Sequence, residues 1–279
     1  AIGDNALGAN TTASNNTAVG SGSLVLNTKG ANNTAMGESS LGANTTGSQN
    51  LALGRVALSA NTTADDNIAI GYAALTTNTA GGIRNLAVGN YAMDASTSGD
   101  DNVGVGYAAL NANTTASNNT AVGKDALRIS ATTTGAVNRN AAVGYRSLYT
   151  DANTTGSVQH NVAVGYRALK TASNTTGNVQ YNIAVGSSAL LINVANNNTA
   201  VGTSAMENNT TGASNIAVGT SAMQANSGGG NNVAIGYAAL ATNTTTNRNT
   251  AVGYASLTAN VAANNTAVGY GALNANSTG

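Results

Sequence analysis

Apolar and polar positions recur along this chain in one fixed order, with a usual spacing of 17 residues. Each copy is counted here from its glycine as position zero, the sixteen glycines being Gly3, Gly20, Gly37, Gly54, Gly71, Gly89, Gly106, Gly123, Gly144, Gly165, Gly186, Gly202, Gly219, Gly236, Gly253 and Gly269. Asn stands at −4 in every complete copy, Leu or Met at +4, and Val, Ile, Leu or Met at −1. Position −2 is Ala except for Gly104. A representative copy runs Asn249-Thr250-Ala251-Val252-Gly253-Tyr254-Ala255-Ser256-Leu257. Self-similarity at a fixed period marks a solenoid or array and outranks any local reading.

The pattern selects the element type. Each unit is rich in Asn, Thr and Gly, which are poor helix formers, and its apolar positions miss the i, i+3, i+4, i+7 spacing. Disorder is excluded by 42% hydrophobic residues held at fixed positions. The predicted fold is therefore all-β: a parallel β-solenoid, or β-roll, of about 16 turns. Positions −4 to −1 read as one strand, Gly at zero as a bend with positive φ, and +1 to +4 as a second strand. Segments such as Asn10-Thr11-Thr12 and Asn44-Thr45-Thr46 read as the return arc. Turns stacked at ~4.8 Å give a rod on the order of 70 Å long.

Weak strand formers need help from repetition. Stacking aligns Asn16, Asn33, Asn50, Asn67, Asn85, Asn102 and Asn119, and their counterparts through Asn265, into a structural ladder bonded amide to amide. Strand alternation sends −2 and −4 to one face and −1 and −3 to the other. The near-fixed Ala points to a cramped coil interior. The bulky −1/−3 face, or the Leu at +4, then needs cover from outside, and a long apolar stripe is an interaction surface. Copies of the chain packed along it, most simply as a homotrimer, are the expected partner.

Composition narrows the function. The 279 residues carry no net charge, only 7% are charged, and Cys, Pro, Trp and Phe are absent. Nothing in that balance favours nucleic acid or an anionic membrane. Without Cys there is no disulfide framework or thiolate metal site. No stretch has the ~18 apolar residues of a membrane span. The chain reads as a single solenoid domain over 1–279; it starts at −2 of a copy, lacks an initiator Met, and stops at +10, as expected of an excerpt from a longer array.

Candidate chemistry is sparse. P-loop, dinucleotide, zincin and nucleophile-elbow motifs are missing, and His160 is the only histidine, so no catalytic, cofactor or metal residues are expected. Asp66, Arg84 and Asp101 share position −5 and read as a surface salt ladder. Asp65-Asp66 and Asp100-Asp101 could hold calcium, but Arg84 between them disfavours it. Three spacings of 21, over 123–186, insert related loops at 134–139, 155–160 and 176–181. They bring Arg139, His160 and Tyr181 into line, with Arg146 and Arg167 nearby, and these five residues are the candidate surface contact, beside Lys124, Tyr149 and Lys170. Tyr at +1 recurs as Tyr72, Tyr107, Tyr145, Tyr166, Tyr237, Tyr254 and Tyr270, and is expected to pack on the surface rather than stack on sugars. Asn-x-Thr sequons begin at Asn15, Asn44 and Asn264, among others.

The motif Asn-x-Ala-Val/Ile-Gly-Tyr-x-Ala/Ser-Leu, as at 232–240, 249–257 and 265–273, resembles the head repeats of trimeric autotransporter adhesins. It is also similar to Asn-Thr-Ala-Val-Gly-Tyr arrays of phage tail fibres. The resemblance spans essentially the whole chain, although the adhesin-head repeat is shorter than 17. It implies a left-handed, trimeric β-roll, extracellular, on a cell surface or on a virion, serving as a shaft or adhesive head. The function expected is that of a non-enzymatic fibre or adhesin shaft acting by stiffness, oligomerisation and attachment, with a cell-surface glycan or protein receptor as a further partner. The alternatives are a self-assembling filament subunit, suggested by open strand edges, and, less well supported, an ice-binding solenoid, which the lack of a flat Thr-x-Thr array disfavours.

Overall fold

The computed structural model describes residues 1–79, 81–112, 114–129, 136–150, 156–170 and 177–276. The chain forms two compact units, Ala1–Ala131 with Val137–Arg139, and Thr132–Ala136 with Asn140–Gly279. Each is an all-β parallel solenoid with a repeat near 17 residues.

In the first unit the strands Thr17–Val19, Thr34–Met36, Leu51–Leu53, Ile68–Ile70, Leu86–Val88, Val103–Val105 and Thr120–Val122 pair parallel, each with the next and in exact copy register. In the second unit Ala141–Val143, Val162–Val164, Ile183–Val185, Thr199–Val201, Ile216–Val218, Val233–Ile235, Thr250–Val252 and Thr266–Val268 do the same. The strand thus occupies −3 to −1. The expected 16 turns become about 14; the copy at Gly3 makes an isolated bridge between Ile2 and Val19 in place of a full strand.

The zero glycine is fixed by geometry twice over. Its φ lies between 124° and 137°, and a Cβ on Gly54, for example, would sit 2.4 Å from the carbonyl oxygen of Gly71 in the following turn.

The second strand expected at +1 to +4 does not form. In its place the chain makes overlapping turns, seen in the Gly54 copy as Ala57 N–H to Gly54 O (3.3 Å), Ser59 N–H to Val56 O (3.4 Å) and Asn61 N–H to Leu58 O (3.1 Å). The intervening N–H groups bond to neighbouring turns: Val56 to Glu38 O, Leu58 to Ala74 O and Ala60 to Thr76 O. Residues +2 and +4 adopt positive φ, 53° at Val56 and 51° at Leu58, the conformation of the third residue of a type II turn. Left-handed geometry costs a non-glycine residue ~1–2 kcal/mol. Burying Leu at +4 offsets that by ~1.5–3 kcal/mol.

This turn geometry also corrects the expectation that Leu at +4 needs outside cover. Consecutive turns, unlike a strand, point +3 and +4 both inward. Leu24, Leu41, Leu58, Leu75, Met93, Leu127, Leu169, Met223 and Leu240 are buried, with Ala at −2 and Ala or Ser at +3 around them. Buried serines at +3, such as Ser23 and Ser40, donate to the zero-glycine carbonyl at 2.9 Å.

Two columns of asparagine run through the interior. The −4 column is present, but its main linkage is not amide to amide. Asn33 Oδ1 accepts from the backbone N–H of Asn50 (2.9 Å), and Asn33 Nδ2 donates to Gly47 O in the return arc of its own copy (2.8 Å). Direct amide contacts occur as well, as from Asn102 Nδ2 to Asn85 Oδ1 at 3.1 Å. The amide-to-amide ladder stands at +7, in the segment read as a return arc: Asn27 to Asn10 (3.1 Å), Asn44 to Asn27 (2.9 Å), Asn61 to Asn44 (3.0 Å) and Asn78 to Asn61 (3.0 Å). Asn209, Asn226 and Asn243 continue it in the second unit. Within one coil both columns donate to the same carbonyl: Asn33 and Asn44 each reach Gly47 O at 2.8 Å. That shared acceptor ties the strand to the return arc across the interior.

Candidate interaction surface

With −2, −4, +3, +4 and +7 turned inward, the outward columns are −3 and −1 on the strand, +1 after the bend and −5 before the strand, while +2 is mixed, with Ala73, Ala108 and Asp125 buried. In the second unit Val143, Val162, Val164, Ile183, Val201, Ile216, Val218 and Ile235 are each 36–43% exposed. In the first unit Met36, Ile68 and Val122 are the corresponding exposed residues. No charged residue occupies −3 or −1 in any copy. The result on each unit is an aliphatic and threonine stripe; at +1 it is flanked by five tyrosines in the second unit, and by Tyr72 and Tyr107 among charged and polar residues in the first.

Those tyrosines face one another along the column. Tyr237, Tyr254 and Tyr270 are stacked, with centroids 5.0 and 5.1 Å apart and planes within 14° and 8° of parallel. Tyr145 and Tyr166 stack at 5.5 Å. In the first unit Tyr91, at +2, sits edge-on between Tyr72 and Tyr107 at 5.2 and 5.8 Å. Stacked rings present edges and hydroxyls to solvent and cover each other's faces, the surface a sugar ring needs.

Cations close several of these columns. Arg55 lies over Tyr72 at 5.8 Å and pairs with Glu38 at 3.0 Å, while Lys124 lies over Tyr107 at 5.6 Å. Arg146 lies over both Tyr145 and Tyr149, at 5.2 and 5.0 Å, and Arg167 over Tyr166 at 5.1 Å. Lys170 lies over Tyr149 at 5.9 Å. Such contacts contribute ~0.5–1 kcal/mol each at exposed sites.

The five candidate contact residues fall into two columns on opposite sides of the strand. Arg146 and Arg167 stand at +2 of successive copies, with Arg167 N–H bonded to Tyr145 O at 2.9 Å. Arg139, His160 and Tyr181 stand at −5, each with positive φ. His160 and Tyr181 stack at 4.9 Å, 8° from parallel; Arg139 belongs to the first unit. The described part of each widened turn is a two-residue strand rather than a loop: Val137–Asn138, Val158–Gln159 and Val179–Gln180. Val158 and Val179 pair in register and are fully buried. They fill the wider coil, and their carbonyls accept from Asn140 and Asn161 at 2.8 Å, in place of the usual arc carbonyl. Thr134, Gly135, Thr155 and Thr176 of the inserted segments lie outside the described residues.

The −5 salt ladder forms in part. Arg84 makes a two-pronged contact with Asp101, 2.6 and 2.9 Å. The Arg84 hydrogen bond holds the Asp101 carboxyl below its ordinary range, and the same bond raises Arg84. Asp65 and Asp100 accept from the backbone N–H of Ser48 and Ile83 in the preceding turn, at 2.7 and 2.8 Å, which commits one oxygen of each to the fold. Among the described residues no group of three or more His, Cys, Asp or Glu is arranged to hold a metal, and no helix is long and apolar enough to cross a membrane.

The sequons divide by position. Asn44 is buried in the +7 ladder, whereas Asn15 and Asn264 at −5 are exposed. Comparison with protein-family models, with curated proteins and with solved structures finds no match for this chain.

Proposed function

We propose that this chain is a non-catalytic structural solenoid, working as the shaft of an extracellular, cell-surface or virion fibre or adhesin. Its function is stiffness along the coil axis combined with lateral association of identical copies, most simply as a homotrimer. One observation carries the reading: the asparagines repeated from copy to copy spend their hydrogen bonds inside the coil, while the repeated outward feature is an uncharged aliphatic and threonine stripe.

A second copy is the partner this stripe fits. The eight rungs of the second unit and the five tyrosines beside them supply about the 20–30 residues a side of a stable interface. Their chemistry, an aliphatic centre free of charge with an aromatic margin, is that of an interface core. Copies built on the same rung spacing present it in matching steps. The resemblance of the repeat to adhesin heads and tail fibres points the same way, and it is the source of the left-handed, trimeric and extracellular elements of the proposal.

The test is light scattering at micromolar concentration, on the native chain and on the double variant Ile216→Asp/Val218→Asp. The native chain is expected to run as an oligomer and the variant as a monomer with unchanged circular dichroism. A native chain that is purely monomeric overturns the proposal. Electron microscopy separates rods of fixed length from indefinite filaments, which would favour the filament reading.

A further inference from the structure

The ten tyrosines of this chain differ in what lies against their rings. Tyr72, Tyr107, Tyr145, Tyr149 and Tyr166 each have a Lys or Arg over the ring. A cation held against the π face opposes removal of an electron from that ring. Tyr237, Tyr254 and Tyr270 stack only on one another, and among the described residues no cation lies over them. They are also open to solvent, at 51%, 50% and 83% exposure, and they border the aliphatic stripe.

We propose that this column is an oxidative cross-linking site that joins neighbouring copies through dityrosine, with a one-electron oxidant of the peroxidase and hydrogen peroxide class as co-substrate. The inference rests on the lateral association proposed above. Two phenols, one from each copy, each give an electron to the oxidant and their O–H proton to water. The two phenoxyl radicals couple through the ring carbons ortho to oxygen, forming one C–C bond. Each ring then transfers its ortho hydrogen to its oxygen, restoring both phenols. One hydrogen peroxide takes up the two electrons and two protons and leaves as two waters.

The solenoid directs the bond outward. A biaryl bond lies in the plane of both rings, so coupled rings stand edge to edge with their Cβ atoms farther apart than the ~4.8 Å between rungs. Strands Val233–Ile235, Thr250–Val252 and Thr266–Val268 pair in register and hold the three rings face to face. Ring edges point away from the coil, where another copy can meet them.

The experiment is photo-oxidation of the purified chain with ruthenium tris-bipyridine and persulfate, after light scattering on the same sample. Denaturing gels and peptide mass mapping follow. The expected result is covalent dimers and higher species, containing Tyr254–Tyr254 or Tyr254–Tyr270 links two hydrogens lighter than the summed peptides. A homotypic Tyr254 link can only join two chains. The variant Tyr237→Phe/Tyr254→Phe/Tyr270→Phe, which keeps the stacked rings, is expected to lose the covalent species while remaining oligomeric by scattering. Links confined to Tyr72, Tyr107 or Tyr181, undiminished yield in the triple variant, or coupling only within one chain would overturn the assignment. An oligomer that gives no dityrosine overturns this inference alone, whereas a monomer that gives none overturns the association reading with it.

Discussion

Replacing Asn44 by Ala tests whether the interior amide ladder, rather than the strand ladder alone, holds the coil. Asn44 is fully buried and makes three side-chain hydrogen bonds: Nδ2 donates to Asn27 Oδ1 (2.9 Å) and to Gly47 O (2.8 Å), and Oδ1 accepts from Asn61 Nδ2 (3.0 Å). Removing the amide does not orphan Gly47 O, which keeps the bond from Asn33 (2.8 Å). It does leave Asn27 Oδ1 without its ladder donor and one Asn61 N–H without an acceptor. Two buried polar groups stranded at ~1–3 kcal/mol each predict a loss of about 2–6 kcal/mol. Asn15→Ala is the matched comparison. Asn15 also bonds to an asparagine one turn away, Asn32, at 3.2 Å, but in solvent, and its loss is expected to cost roughly 0.5 kcal/mol or less. Guanidinium unfolding followed by circular dichroism reads both. Equal midpoints for the two variants would refute the claim that the buried ladder stabilises the fold.

Four further substitutions, the first with a matched comparison, probe other parts of the coil. Leu240→Ala, in the closed interior, is expected to cost about 2–5 kcal/mol, against roughly 1 kcal/mol or less for half-exposed Val218→Ala, by the same unfolding measurement. Gly236→Ala places a Cβ 2.4 Å from Gly253 O at a φ of 134° and is expected to cost more than ~1 kcal/mol, seen as a lowered melting temperature. Burial raises the Asp94 carboxyl above its ordinary range, so the folded state binds that proton more tightly than the unfolded chain does. Stability from this group is full below the ordinary carboxylate range and falls as pH rises through the raised value. Asp94→Asn should therefore raise the melting temperature at neutral pH, with the gain vanishing in acid. The sign is opposite at Asp101, whose carboxyl is lowered by Arg84: its contribution is present above the ordinary range and is lost as pH falls through the lowered value. Arg84→Ala should flatten that acid limb in a melting-temperature series.

The parts of the fold legible in the sequence are those where geometry admits one residue type. Gly at zero is such a position, because both φ and the carbonyl of the next turn exclude a Cβ. Ala at −2 is another, buried among the ladders wherever it stands in a full copy, Gly104 being the one replacement. The turns at +1 to +4 left no comparable mark. Their left-handed residues include Val56, Arg146, Leu58 and Met93, where Gly or Asn is the usual signal, so alternating apolar residues looked like a strand. The +7 ladder had a signal, Asn recurring at Asn10, Asn27, Asn44, Asn61 and Asn78. It was masked because Asn-Thr-Thr is also good turn chemistry, and both readings hold at once: the backbone turns there and the amide points inward.

That inward saturation explains why the outer columns vary. Position +1 holds Glu38, Arg55, Tyr72, Asn90 and Lys124 in different copies, and none of these side chains is needed to satisfy a buried group. The +1 column is therefore free to vary, and it is where contacts specific to one stretch of the coil can be built. The −1 column behaves differently. It is outward and half-exposed, yet Val, Ile, Leu or Met in every copy. Interior packing places no such demand on a residue that faces away from the coil, and strand propensity alone would admit Thr or Tyr. A restriction that the coil itself does not impose is what the proposed side-by-side packing of copies would impose on a column lying in their interface.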